Sequence, residues 1–154
     1  MGASEALAGA LLKNPWYSLS VLTTLVTELE RLAGVKGRAD IIVLATTAVN
    51  EEEARFLAAS VHLLARLNVT GVPLRELAAR RTVVGITSGG ALVVPAPVDY
   101  LSWTEQLARL AARKDLRAPK RGLWLTGQIS AAAQRGFSAF GWAFHEAPAF
   151  QVSR

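Results

Sequence analysis

Two short stretches carry residue types suited to holding an anion. Thr46, Thr47 and Asn50 close and follow the apolar run 40–47, and Thr126, Gly127, Gln128 and Ser130 follow a second apolar run at 122–125. In open α/β sheets, ligands settle beyond the carboxyl ends of strands. Each stretch leads into an expected helix start, where free N–H groups and the dipole favour negative charge. The chemistry on offer is hydroxyl and amide hydrogen bonding to a small anionic ligand. No GxGxxG or GxxxxGK[ST] spacing accompanies it, so no phosphate cradle of recognised form is present. Glu51, Glu52 and Glu53 also place negative charge beside the first stretch. The plainer role for these residues is helix capping.

Catalytic and metal chemistry find little support. The chain has no cysteine and two histidines, His62 and His145. Thiol nucleophiles, thiolate sites and the usual zinc spacings are therefore missing. No GxSxG elbow supplies a serine for His145. The motif Thr87-Ser88-Gly89-Gly90 is better explained as a turn between two strands. His62 shares a helical face with Arg55 and Arg66 and is expected to face solvent. No metal and no cofactor are expected, and the balance leans away from an enzyme, with hydrolytic chemistry kept as an alternative.

A third constellation is electrostatic. The formal net charge is +5, and all of it falls in the last third of the chain. Arg109, Arg113, Lys114, Arg117, Lys120 and Arg121 lie in one segment with Asp115 as the acidic exception. Arginine favours planar, bidentate contacts to carboxylate or phosphate. Such a cluster suits nucleic acid or another polyanion. The four tryptophans, among them Trp124 and Trp142, do not interleave with segment 109–121. Nucleic acid is accordingly a weakly supported partner at this level. A solvated helix end explains the same charges without a ligand.

The elements that must position these groups are legible in part. A short Ala/Leu helix reaches Lys13, and a second is expected to restart at Asn14-Pro15, where Asn caps and Pro is tolerated. Together they make a helical segment over 1–35, packed on the rest. Residues 40–47 are β-branched and apolar without alternation, which predicts a strand buried on both faces. Asn50 and the glutamates after it predict a helix to about Leu67. Residues 73–80 read as a short helix. Residues 82–94 read as a β-hairpin turning near Ser88–Gly90, apolar on both faces. A helix capped by Asp99 or Ser102 and running through Ala112 follows. The last unit reads strand, helix, strand over 122–146, with Ser130 as cap and Gly141 as stop. That pattern suits a right-handed parallel crossover.

The fold class expected is α/β, a single domain over 1–154. It has a mostly parallel sheet flanked by helices, with the antiparallel hairpin added. The length of 154 residues fits the usual range of about 100–200 per domain. Charged residues make up 19%, against a usual share of about 25%. The apolar fraction is 51%, and a two-faced apolar hairpin at a sheet edge would seek a partner. Val84, Ile86, Leu92 and Val93 are its expected interface. An Ala-rich, high-GC bacterial composition is the plainer source of the same fraction. The longest uncharged run, 82–98, is broken by glycines and prolines and does not suit a membrane span. Glu5 stands where a signal peptide carries positive charge. No targeting segment is read, and a cytoplasmic location is favoured over a periplasmic one. The leading functional expectation is a non-catalytic interaction module that binds itself or a protein partner. Polyanion binding through 109–121 and small-ligand binding at the strand ends are the alternatives.

Overall fold

Side-chain caps set four of the helix starts in the computed structural model, which describes residues 2–146 and the side chains of residue 6 and of 9–146. α1 spans Gly2–Lys13. α2 spans Leu19–Arg31 and starts at Ser18, whose Oγ accepts from the Val21 amide at 3.2 Å. The expected start at Asn14-Pro15 is corrected. Asn14 instead ties the turn down, its Nδ2 donating to the carbonyls of Thr46 and Ala48 at 3.2 Å each.

The expected strand at 40–47 is also corrected, since Arg38–Thr46 form helix α3. Ile41 and Ala45, one helical turn apart, are fully buried, while Val43 is 46% exposed. A strand covered on both faces would have hidden Val43. Burial along one helical stripe outweighs the β preference of the run. α4 spans Glu51–Thr70. Asn50 Oδ1 accepts from the Glu53 amide at 2.8 Å, and Glu53 Oε2 accepts from the Val49 amide at 2.9 Å. The helix stops at Gly71, with φ +119, rather than near Leu67 as expected. Asn68 accepts from the Leu74 amide at 2.9 Å and so joins the helix to the first strand.

That strand, β1, covers Leu74–Ala79 and replaces the short helix expected there. A bulge between Leu74 and Glu76 shifts its register against β2. The extra residue puts Leu74 and Leu77, three apart, on one buried face, a spacing that imitates a helix. β2 covers Val83–Thr87 and β3 covers Leu92–Ala96. They form the expected hairpin, closed by Thr87 N donating to Ala91 O at 2.9 Å. α5 spans Glu105–Ala111 and is capped by Thr104, whose Oγ1 accepts from the Leu107 amide, rather than by Asp99 or Ser102. A short 3-10 turn, Lys114–Leu116, leads on to β5, Arg121–Leu125. α6 spans Ala131–Ala139 and leads into β7, Ala143–Glu146. β4, Tyr100–Leu101, and β6, Gln128–Ile129, form a separate parallel pair.

The main sheet runs β1-β2-β3-β5-β7. β1 to β3 pair antiparallel, and β3, β5 and β7 pair parallel. The class is α/β as expected, but the sheet is mixed rather than mostly parallel. The β5–α6–β7 unit is a parallel crossover between neighbouring strands. On one face α4 packs on β2 and β3 while α3 packs on β1, and Leu64, Leu77, Val83 and Val93 share this core. α2 packs on α4, and α1 on α3. On the other face Phe137 of α6, Leu116 and Trp142 enclose Val84, Val94, Leu123 and Leu125. The outer edge of β1 is covered by backbone: Lys36 N donates to Arg75 O at 3.2 Å, and Leu77 N to Lys36 O at 2.7 Å.

The hairpin therefore sits between two helical layers, which is why both its faces are apolar. Val84, Leu92 and Val93 are 0%, 4% and 2% exposed, and Ile86 is half-buried against the second core. The first three were expected at an interface, and they lie inside the chain's own core instead.

Candidate functional site

The structure separates the residues expected to hold a small anion. With 40–47 helical, Thr46 and Thr47 stand at the end of α3, where their hydroxyls donate to Val43 O and Leu44 O at 2.7 and 2.6 Å. Thr47 and Asn50 line a cavity of about 560 Å³ together with Glu52, Glu53, Phe56 and Arg81. Gly127 and Gln128 line another, of about 410 Å³, with Gln134 and Glu146. The two cavities share no lining residue. Thr126 Oγ1 donates to Val98 O at 3.4 Å, and Ser130 Oγ accepts from the Ala133 amide as the α6 cap. Gly127 is needed for space, because a Cβ there would lie 2.1 Å from the Asp99 carbonyl oxygen. The side chains of Thr46, Thr47, Asn50, Thr126 and Ser130 are thus engaged locally. The larger cavity is lined by two carboxylates and one cation, Arg81, so its side next to Glu52 and Glu53 disfavours an anion.

One titration marks this region. Tyr17 donates to Ala45 O at 2.9 Å. Burial first, and then the charge of Glu53, push its pKa up from 10.0 to about 12. A phenol that keeps its proton longer in the folded state stabilises the fold fully below the unfolded value of 10.0. That contribution fades as pH rises toward the folded value. In an ultraviolet phenolate titration, a late step near 12 is expected, and Tyr17→Phe should remove it. A Tyr17→Phe curve that keeps the late step would refute this assignment.

The basic segment resolves into two kinds of residue. Arg113 Nε donates to Asp115 Oδ1 at 2.9 Å, and its Nη2 contacts both Asp115 Oδ2 and the Arg80 carbonyl. Arg121 donates to Leu116 O at 3.1 Å and to Phe140 O, and its guanidinium lies 4.6 Å over the Trp142 ring. These two hold loops together. Arg109 pairs with Glu105 at 3.7 Å on exposed helix surface. Lys114, Arg117 and Lys120 are exposed and make no ion pair among the described residues.

Sequence reasoning missed two members of this region, Arg80 and Arg81, at the turn between β1 and β2. Arg80 contacts the Asp115 carbonyl through its guanidinium. Arg81 is exposed, has φ 62, and also lacks an ion pair among the described residues. The Arg113 hydrogen bond, aided by the charges of Arg113 and Arg81, lowers the Asp115 pKa. Burial, and then the charge of Arg117, lower that of Arg121. The 113–121 loop thus lies against the β1–β2 turn and leads into β5, with cations along its length and Asp115 taken up by Arg113.

Among the described residues, no group of three or more acidic or histidine side chains is placed to hold a metal ion. No described helix is long and apolar enough to cross a membrane. No protein-family model matches the chain, and neither a curated protein nor a solved structure matches it.

Proposed function

We propose that this protein binds a phosphate-bearing polyanion along the ridge from Arg81 through Lys114 and Arg117 to Lys120. The observation that carries the reading is the meeting of two distant segments. The arginines of the β1–β2 turn lie against the 113–121 loop, joined by the contacts of Arg113 and Arg80 across it. Asp115, the acidic residue of that loop, is bound by Arg113. The exposed cations Arg81, Lys114, Arg117 and Lys120 are then available to a ligand. Small-anion binding at the strand ends has no comparable support, because its residues fall in separate places. Association through the β2–β3 hairpin has less support, because Val84, Leu92 and Val93 lie in the core.

Binding of this kind releases counterions, so the logarithm of affinity should fall linearly with the logarithm of salt concentration. Each neutralised phosphate contributes roughly 0.7–0.9 to that slope, which puts the full ridge near about 3. The test is anisotropy of a labelled inorganic polyphosphate over a salt series. The combined variant Arg81→Ala, Lys114→Ala, Arg117→Ala should reduce the slope by about 2 and leave the melting temperature close to that of the parent. Affinity that ignores both salt and this variant would refute the reading.

A further inference from the structure

The ridge ends beside an aromatic feature that the sequence did not connect to it. A cavity of about 400 Å³ opens over β5 and β7, and Lys120, Gly122, Trp124 and His145 line it together. Trp124 and His145 are register partners on neighbouring parallel strands. Their rings stack 4.4 Å apart at 18°. The tryptophan is half-buried and packs on the α4-side core, while the histidine is exposed. The stack therefore has a half-buried inner ring and, among the described residues, an exposed outer one. His145 makes no second ring contact among the described residues.

Gly122 makes room for this arrangement. A Cβ at that position would lie 2.8 Å from His145 Cδ2 and 3.0 Å from its Nε2. The imidazole thus leans over the start of β5, on the side of Lys120. A charged ridge alone would suit any chain of phosphates. A charged ridge that runs into an open ring stack suits a chain whose phosphates alternate with flat bases. Every base has a π face, and stacking on aromatic side chains is tolerant of sequence. A duplex keeps its bases stacked on one another and has none to offer.

Resting on the polyanion reading above, we infer that the ligand is single-stranded nucleic acid. One base continues the Trp124–His145 stack on the outer face of His145, and Lys120 takes an adjoining phosphate. Both rings are positioned by the βαβ crossover, so the platform belongs to the sheet and not to a loop.

The experiment compares two labelled single strands of about 15 nucleotides, an oligothymidylate and an abasic strand with the same phosphates. Both are titrated onto the whole chain at low salt. The oligothymidylate should bind roughly tenfold tighter. His145→Ala should abolish that preference and leave the abasic affinity unchanged, and His145→Phe should retain it. Gly122→Ala, which displaces the imidazole, should weaken the preference as His145→Ala does. If the abasic strand binds equally well to the parent, or the preference survives His145→Ala, the stacking inference falls and the polyanion reading stands. If neither strand binds and polyphosphate does not bind either, both readings fall.

Discussion

Phe137→Ala should destabilise the fold by about 3–5 kcal/mol, as expected for removing a large buried aromatic. Phe137 is fully buried. Its ring meets those of Trp103, Trp142 and Phe144 edge-on, with centroids 5.2, 5.8 and 5.9 Å away. Those partners come from the loop before α5, the start of β7 and β7 itself, so the surrounding segments cannot all close on the void. Domains are stable by only about 5–15 kcal/mol, which makes this a large share of the total. Chemical denaturation gives the measurement. Phe140→Ala is the control, because Phe140 is 42% exposed. It should cost no more than about 0.5–1 kcal/mol. Equal losses in the two variants would mean that α6 does not pack on the sheet through Phe137.

Gly37→Ala should cost roughly 3–5 kcal/mol, the sum of a left-handed backbone penalty and a steric clash. Gly37 has φ +90, and a Cβ there would lie 2.0 Å from the carbonyl oxygen of Leu77. That carbonyl cannot swing aside easily, because Leu77 is paired with Gly85 in the sheet and its amide donates to Lys36 O. Gly34 separates the two causes. It also has φ +90, but nothing lies within 4 Å of its added Cβ. Gly34→Ala should therefore show the backbone penalty alone, about 1–2 kcal/mol. Hydrogen exchange adds a local readout, since the Leu77 amide should lose protection in Gly37→Ala and keep it in Gly34→Ala. Matching stability and exchange in the two variants would contradict the close approach.

The features legible in the sequence are those whose cause is local. Asn50 and Ser130 cap helices through their own side chains, and Gly141 follows α6 with φ +82. The hairpin at 82–94 was readable from its turn residues. Misreadings arose where tertiary packing decided the outcome. The run 40–47 has β-branched residues yet buries a helical stripe through Ile41 and Ala45. The bulge in β1 gave Leu74 and Leu77 a helical spacing, and with it hid the turn that presents Arg80 and Arg81. Their adjacency in the sequence was visible, but a helix would have buried no reason to pair them with segment 113–121. The Trp124–His145 stack depends on a register between strands separated by a whole helix. Only the matching positions of an aromatic ring and a histidine in two strands of one crossover hinted at it.

The two edges of the main sheet differ in one further respect. The free side of β1 already carries the Lys36 backbone, while β7 has β5 as its single partner among the described residues. Exposed strand edges are the templates from which sheets polymerise. With one edge blocked, two copies that paired through β7 would join like to like about a two-fold axis and leave no further edge to extend. Growth into a filament would then need the Lys36 segment, between α2 and α3, to detach first.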